Sequence, residues 1–435
     1  MRTCSIPALS MRRTIPLLSQ LPLSPWLFGN PLEFFEELQK GAEPIARIKI
    51  DGNTVFYLRD PDLIREILVT FASNFHKNRG WERAQSLLGK GLITSEDELH
   101  RQQRKLIQPI FHHCHLKNLS GVMRERTCER TASWSAGQKL NLSEEMHRLT
   151  QIIVGEALFG TDVGDQTSRV SQLMETILET FFLYLGHPAL RRAADARREL
   201  GEIIQAVIDQ RRQTNKVGPD LLTLLFAAQD PNTGFGMSDE QLRDEVMTLF
   251  LAGHETSANA LSWTIYLLTQ HPEIAEQVAT EVCSVTNGSE LSLLSRVIRE
   301  SLRLFPPAWA IGRRAVNDLQ FAGVTIPKGA TVLACQWAMH RCDRYFPNPT
   351  KFDPDRWTPE FQRTLPKYAF FPFGGGPRSC IGEGFAWMEL EIVLTEILRR
   401  WRFEIVPGQI VRPRPSVTLH PEEPIQVIIR PVSGS

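Results

Sequence analysis

The sequence predicts a mainly α protein with small β-sheets, folded as a single large domain over residues 1–435. Three observations predict it. Apolar residues recur at helical spacing from about residue 60 to 305, strand-like runs are confined to the two ends, and no internal repeat or Gly/Ser-rich linker divides the chain. A helical middle with sheets built from distant segments disfavours alternating βαβ units, and with them a doubly wound nucleotide-binding fold. Ordinary globular composition, 42% apolar and 23% charged, excludes disorder and fibrous repeats. At this length a deep interior pocket can be built.

The first 25 or so residues read as a flexible tail. Arg2, Arg12 and Arg13 precede Ile15-Pro16-Leu17-Leu18, but Ser19, Gln20, Pro22 and Pro25 break the run before it is long enough for a signal sequence or a membrane span. Neither export nor a membrane anchor is expected. A hairpin follows, Ile48 to Ile50 and Val55 to Leu58, turned by Asp51-Gly52-Asn53 because Asp-Gly tolerates positive φ. In the helical middle, Ser238 with Gln241 forms a capping box and Pro272 ends the run, giving some thirty residues, about 45 Å of helix. Leu242, Val246, Leu249, Phe250, Leu261 and Leu267 make it apolar on more than one side, as for a buried central helix. Strand signals return at Val324 to Ile326 and Thr331 to Leu333, flanking Pro327-Lys328-Gly329, then at Phe403 to Ile405 and Gln426 to Ile429.

Lys+Arg and Asp+Glu balance at 49 each, so no counterion-release term favours nucleic acid. Seven cysteines with no framework spacing fit a reduced, cytoplasmic protein. Cys335, His340 and Cys342 have zinc-ligand atoms but no fourth ligand nearby, and in His112-His113-Cys114-His115 consecutive residues point different ways.

Two segments carry chemistry. In the centre of the long helix, Ala252-Gly253-His254-Glu255-Thr256 places a helix-weakening glycine beside an acid and an alcohol. It reads either as a surface-facing kink with a solvated Glu255 or as a distorted turn beside a ligand. The segment Phe371 to Gly382 is a glycine-rich loop delivering Cys380 to a helix start, where backbone N–H groups favour the thiolate. Such a cysteine is a metal ligand, a nucleophile, or a small buried apolar group.

Phe373-x-x-Gly376-x-Arg378-x-Cys380-x-Gly382 resembles the haem-ligand loop of the cytochrome P-450 family, and Ala252-Gly253-x-Glu255-Thr256 its oxygen-activating turn. Glu300-Ser301-Leu302-Arg303 is similar to its Glu-x-x-Arg helix, and Phe352 to Trp357 to its downstream arginine segment. The resemblance covers nearly the whole chain and implies haem b, iron protoporphyrin IX, with Cys380 as the metal ligand and Phe373 and Ala252 beside the cofactor. It implies propionate contacts from His100, Arg104, Arg313 and Arg378, and a structural network of Glu300, Arg303 and Arg356 bracing the cysteine loop. His254 is a polar neighbour.

The implied reaction is monooxygenation of a hydrophobic substrate by O2, lipid-, terpenoid- or carotenoid-like, with Thr256 and Glu255 as the catalytic proton relay. By the same analogy the pocket is lined by the loop from Phe75 to Leu92, the region of Phe181, Phe182 and Tyr184, Phe250 and Ala252, Ala308 to Ala310, and a turn near Thr418. A short stretch between Glu281 and Arg296 matches compact soluble bacterial members. No flavin domain follows, so electrons are expected from a separate ferredoxin or flavodoxin with its reductase, docking near Arg101, Lys105 and Arg378 on a monomer. Two other classes stay open: a non-catalytic haem-binding sensor or carrier, and a cysteine hydrolase without haem.

Overall fold

In the computed structural model the described residues are 30–50, 52–160, 169–170, 172–174, 176–177, 189–214, 220–230, 233–234, 236–284 and 292–432. The expected N-terminal tail and the region of Phe181, Phe182 and Tyr184 lie outside them. The long helices that frame the interior are α1 (Asp97–Ile107), α2 (Leu142–Phe159), α3 (Ala189–Thr214), α4 (Asp239–Gln270), α5 (Ser292–Leu304) and α6 (Glu383–Leu398). Helix α4 has 32 residues and is about 48 Å long. Ser238 Oγ accepts from Gln241 N at 3.2 Å and Gln241 Oε1 accepts from Ser238 N at 3.0 Å, so both halves of the capping box form.

The sheets draw on both ends of the chain, as expected. Strands β1 (Ile45–Ile50) and β2 (Asn53–Leu58) form the anticipated hairpin, each longer than the sequence signal, with Gly52 at φ 77° in the turn. Short strands β3 (Phe75–Lys77) and β4 (Lys139–Asn141) lie inside the span read as helical, where three residues are too few to show a period. Strands β5 (Ile311–Ala315), β6 (Leu319–Phe321), β7 (Val324–Ile326) and β8 (Thr331–Ala334) follow α5. Although β7 and β8 flank Pro327-Lys328-Gly329, they do not pair with each other: β7 pairs with β6, while β8 lies parallel to β2 and antiparallel to β5. The largest sheet thus runs β1-β2-β8-β5-β3. Strands β9 (Trp401–Ile405), β10 (Pro413–Pro415), β11 (Leu419–Pro421) and β12 (Gln426–Pro431) close the chain, β12 pairing with both β4 and β9.

The main core gathers α2, α4, α5 and α6, with Leu149, Ile153, Val246, Leu261, Val297 and Val393 fully enclosed. Helices α2 and α4 pack closely at Gly253, where a Cβ would lie 3.1 Å from Val154 Cγ2. Gly253 therefore serves close helix packing. The α-helix runs unbroken through this turn.

Candidate active site

Glu300 and Arg303, one turn apart on α5, are both fully buried and joined by two hydrogen bonds of 2.8 and 2.7 Å. Glu300 also accepts from Arg356 Nε at 2.9 Å, Trp357 Nε1 at 2.9 Å and Asp353 N at 3.0 Å, so the buried carboxylate is saturated with donors. Arg303 donates to the carbonyls of His340, Pro349 and Lys351. His340 Nε2 in turn accepts the Phe371 N–H at 3.0 Å. The network thus reaches the cysteine loop through His340, which was weighed at first as a zinc ligand. Burial and the nearby Arg303 and Arg341 push its pKa far down, which keeps it neutral and able to accept. Cys335 Sγ is committed to Trp309 O at 3.3 Å.

The cysteine loop is folded by its own backbone. Cys380 N donates to Phe373 O at 2.9 Å, Ser379 N to Gly376 O at 3.0 Å, and Gly374 and Gly376 adopt φ of 72° and 68°. The Phe373 ring packs 6.0 Å from that of Trp387. Cys380 lies deep among protein atoms yet keeps accessible surface, and Arg313 does likewise. That combination describes a void or deep cleft at the cysteine. Ala252 keeps accessible surface in mid-helix although Leu251 and His254 beside it are buried, so α4 is open along this face.

Burial pushes the Cys380 thiol up to about 11, against the weaker pull of the Gly382 N–H. For the polypeptide alone, desolvation outweighs the Gly382 N–H and the Arg104 guanidinium, and a bound metal cation would favour the thiolate.

Lys77, His100, Arg104, Arg313 and Arg378 form a mutually interacting group on the Cys380 side, with Glu96, Asp97 and Glu245 as carboxylates in range. Arg378 pairs with Glu96 and donates to Ser95 O at 2.6 Å. Arg104 donates to Ser379 O at 2.7 Å and Ser379 Oγ at 3.3 Å, anchoring the residue before the cysteine. Arg313 is pushed down to about 10 by burial and by Arg378. His100 is pushed down to about 3 by burial and by Arg378, Lys77, Arg104 and Arg101, so it offers a neutral N–H. Lys77 on β3 was not foreseen: enclosed by protein, its ammonium donates to Leu92 O at 3.2 Å and to Ile93 O, and its pKa is strongly lowered by burial and Arg378. This partly buried group holds more cations than carboxylates, so it favours the entry of anions, and two propionates supply them. The donor set fits haem. Lys77 sits in an unremarkable three-residue strand, so no sequence period marks it.

Of the three residues expected to receive a redox partner, Arg378 faces inward. Arg101 and Lys105 are on the surface, paired with Glu98 and Asp230.

On the α4 side, Thr256 Oγ1 donates to Ala252 O at 2.7 Å, and Thr418 Oγ1 donates to Glu255 Oε1 at 2.6 Å. His254 is turned away, its Nδ1–H on Phe250 O at 2.8 Å and its ring pushed down to about 4 by burial. A separate groove of about 620 Å³ between α3 and the start of α4 is lined by Arg197, Glu202, Asp209 and Arg243 among others. It is remote in chemistry from an apolar substrate site.

The sequence profile described as Cytochrome P450 matches residues 11–429. The chain is 34% identical to Cyclooctatin synthase of Streptomyces melanosporofaciens, over 96% of each chain, and 32% identical to Pentalenene oxygenase of Streptomyces avermitilis, over 91% of each. Among solved structures it is similar to the cytochrome P450DA heme domain, with TM-score 0.86, 27% identity and coverage of 95% and 96%. The retinoic-acid-bound cyanobacterial CYP120A1 matches with TM-score 0.83 and 26% identity over 92% and 94%. Among the described residues no helix is long and apolar enough to cross a membrane. With a cysteine facing an anion-hungry void, a Glu-Arg-Arg brace behind it and this kinship, the chain belongs to the cytochrome P450 family and is a monooxygenase using haem b.

Proposed function

We propose that this monooxygenase oxidises a terpenoid-like hydrophobic molecule at an unactivated C–H bond, with Cys380 as the residue that would hold the haem iron and Thr256 and Glu255 as the proton relay. When bound, haem b with a thiolate ligand supplies O–O cleavage of O2, one atom entering the substrate and the other leaving as water. Arg104, Arg313, Arg378 and Lys77 would hold the propionates, with His100 adding a neutral N–H. Phe373, within the cysteine loop, would stand beside the cofactor, and Ala252 would leave room for O2 and substrate. The Thr256 hydroxyl, which donates to Ala252 O, would be the near member of the relay, and Glu255 would replenish its proton.

The observation that carries this reading is the opening at Ala252, flanked by the acid and the alcohol on a helix otherwise packed into the core. Buried Phe250 and the partly buried Trp309 supply apolar walls, which suit a hydrocarbon held by few polar contacts. Relatives are named for pentalenene and for cyclooctat-9-en-7-ol, which supports a terpenoid over a fatty acid. A separate ferredoxin or flavodoxin with its reductase would donate electrons near Arg101 and Lys105, to a cytoplasmic monomer.

The test is the absorbance of the reduced, carbon-monoxide-treated protein beside Cys380→Ser, followed by titration with cyclic terpenes. A strongly red-shifted Soret band, lost in the variant, with a terpene-induced spin-state change and an oxygenated product, is expected. A band indifferent to the substitution overturns the ligand assignment. Spin-state change without product favours a sensor or carrier.

A further inference from the structure

Glu255, Asn259 and Trp263 lie at i, i+4 and i+8 on α4 and therefore share one face. All three engage the same short segment. Thr418 Oγ1 donates to Glu255 Oε1 at 2.6 Å, Asn259 Nδ2 donates to Thr418 Oγ1 at 3.2 Å, and Trp263 Nε1 donates to Leu419 O at 3.1 Å. Asn259 is 1% exposed and Trp263 0%, so water does not compete for their two contacts, while Glu255 keeps some accessible surface. A hydroxyl has one hydrogen, and the Asn259 amide nitrogen can only donate to it. The Thr418 hydrogen is thereby committed to Glu255 Oε1. With Oε1 accepting, a proton carried by Glu255 is directed to Oε2.

The same segment is fastened to the wall of the expected pocket. Leu419 N donates to Pro307 O at 2.9 Å, Trp309 Nε1 to Ser416 O at 2.9 Å, and Ser416 N to Thr418 O at 3.0 Å. Pro307 and Trp309, the turn at 416–419 and the acid on α4 form one hydrogen-bonded unit.

We propose that Thr418 is a positioning residue: it selects the carboxylate oxygen of Glu255 that carries the proton and links that choice to the pocket wall, so that what presses on the wall tunes proton supply. The inference rests on Glu255 being the acid of the reaction. A substrate that displaces Trp309 or Ser416 moves Thr418 through two hydrogen bonds, and Thr418 is the acid's hydroxyl donor.

The experiment compares Thr418→Val, which keeps the shape and removes the hydroxyl, with Thr418→Ser, which restores it, in the haem-loaded protein. Thr418→Val should raise the ratio of peroxide to product roughly tenfold, the scale of one hydrogen bond to a charged group, with the carbon monoxide spectrum unchanged. Thr418→Ser should return near wild type. On a Glu255→Gln background, Thr418→Val should add nothing. Independently of turnover, the infrared carboxyl band identified by its loss in Glu255→Gln should move in Thr418→Val and not in Thr418→Ser. An unchanged ratio with an unmoved band, or a full effect persisting in Glu255→Gln, overturns the proposal. If Glu255→Gln leaves the ratio untouched, the acid role itself is refuted, and the infrared band still decides whether Thr418 sets the carboxyl.

Discussion

Alanine at Gly374 and at Gly376 makes a matched pair that separates backbone strain from close approach. Both residues sit in the left-handed region, at φ 72° and 68°, so each alanine carries a conformational cost of about 1–2 kcal/mol. Their surroundings differ. A Cβ on Gly374 would lie 3.4 Å from Ile311 Cδ1, ordinary contact with a flexible tip. On Gly376 it would lie 1.9 Å from Leu68 O and 2.8 Å from Leu68 C. Leu68 belongs to a helical turn, Glu66–Thr70, whose Ile67 and Leu68 are buried against the large sheet, so neither side can yield cheaply. Reaching ordinary separation requires a displacement of more than about 1 Å in a packed interior. We expect Gly374→Ala to lose about 1–2 kcal/mol and Gly376→Ala more than about 4 kcal/mol, the range reserved for severe core disruption. Urea unfolding read by tryptophan fluorescence measures both, and the carbon monoxide spectrum reports whether the cysteine loop has moved. Equal losses within about 0.5 kcal/mol would refute the close approach, because strain alone would then account for both.

Two further perturbations test other parts of the interior. Glu389 on α6 is fully buried beside Ser257, neither of its oxygens has a well-formed hydrogen bond, and burial pushes its pKa up to about 8. The folded state therefore holds a proton that the unfolded chain, near 4.5, has released, and this contribution is full below pH 4.5 and lost as pH rises through 8. Glu389→Gln should raise the melting temperature more at pH 8 than at pH 5; parallel curves for variant and wild type would contradict the burial argument. Lys77→Met removes an enclosed cation and its contacts to Leu92 and Ile93 carbonyls. It should speed haem transfer to apomyoglobin roughly tenfold, the scale of a lost charge-assisted bond, whereas surface Lys105→Met should not; equal rates for the two variants would remove Lys77 from the propionate site.

Local signals carried much of the fold and site into view from sequence. Ser238 and Gln241 announce the start of α4 because both partners of the cap lie three residues apart, and Glu300 with Arg303 is likewise a contact within one turn. The glycine-rich loop before Cys380 is legible because positive φ restricts residue choice. What stayed hidden depends on contacts far apart in the chain. Thr418 and Glu255 are separated by 163 positions, and nothing in the local pattern of either announces the other. The charge state of His100 is set by burial and by Arg378 and Lys77, which come from other segments, and that of Cys380 by burial no window of sequence contains. Gly253 was visible as unusual, but its reason, Val154, stands on another helix.

The hydrogen bonds from Arg104 to Ser379 span 275 residues, and β2 finds its parallel partner β8 only after a comparable length of chain. During synthesis, at about 5–20 residues per second, the first half of the cofactor cradle leaves the ribosome tens of seconds before the second. Through that interval Lys77, His100 and Arg104 have neither the cysteine loop nor the edge of β8 to fold against, and β2 presents an unpaired edge of the kind that invites misassociation. With the proposed haem-holding residues split this way, haem yield in a heterologous host should respond to slower translation or added chaperone before it responds to more haem.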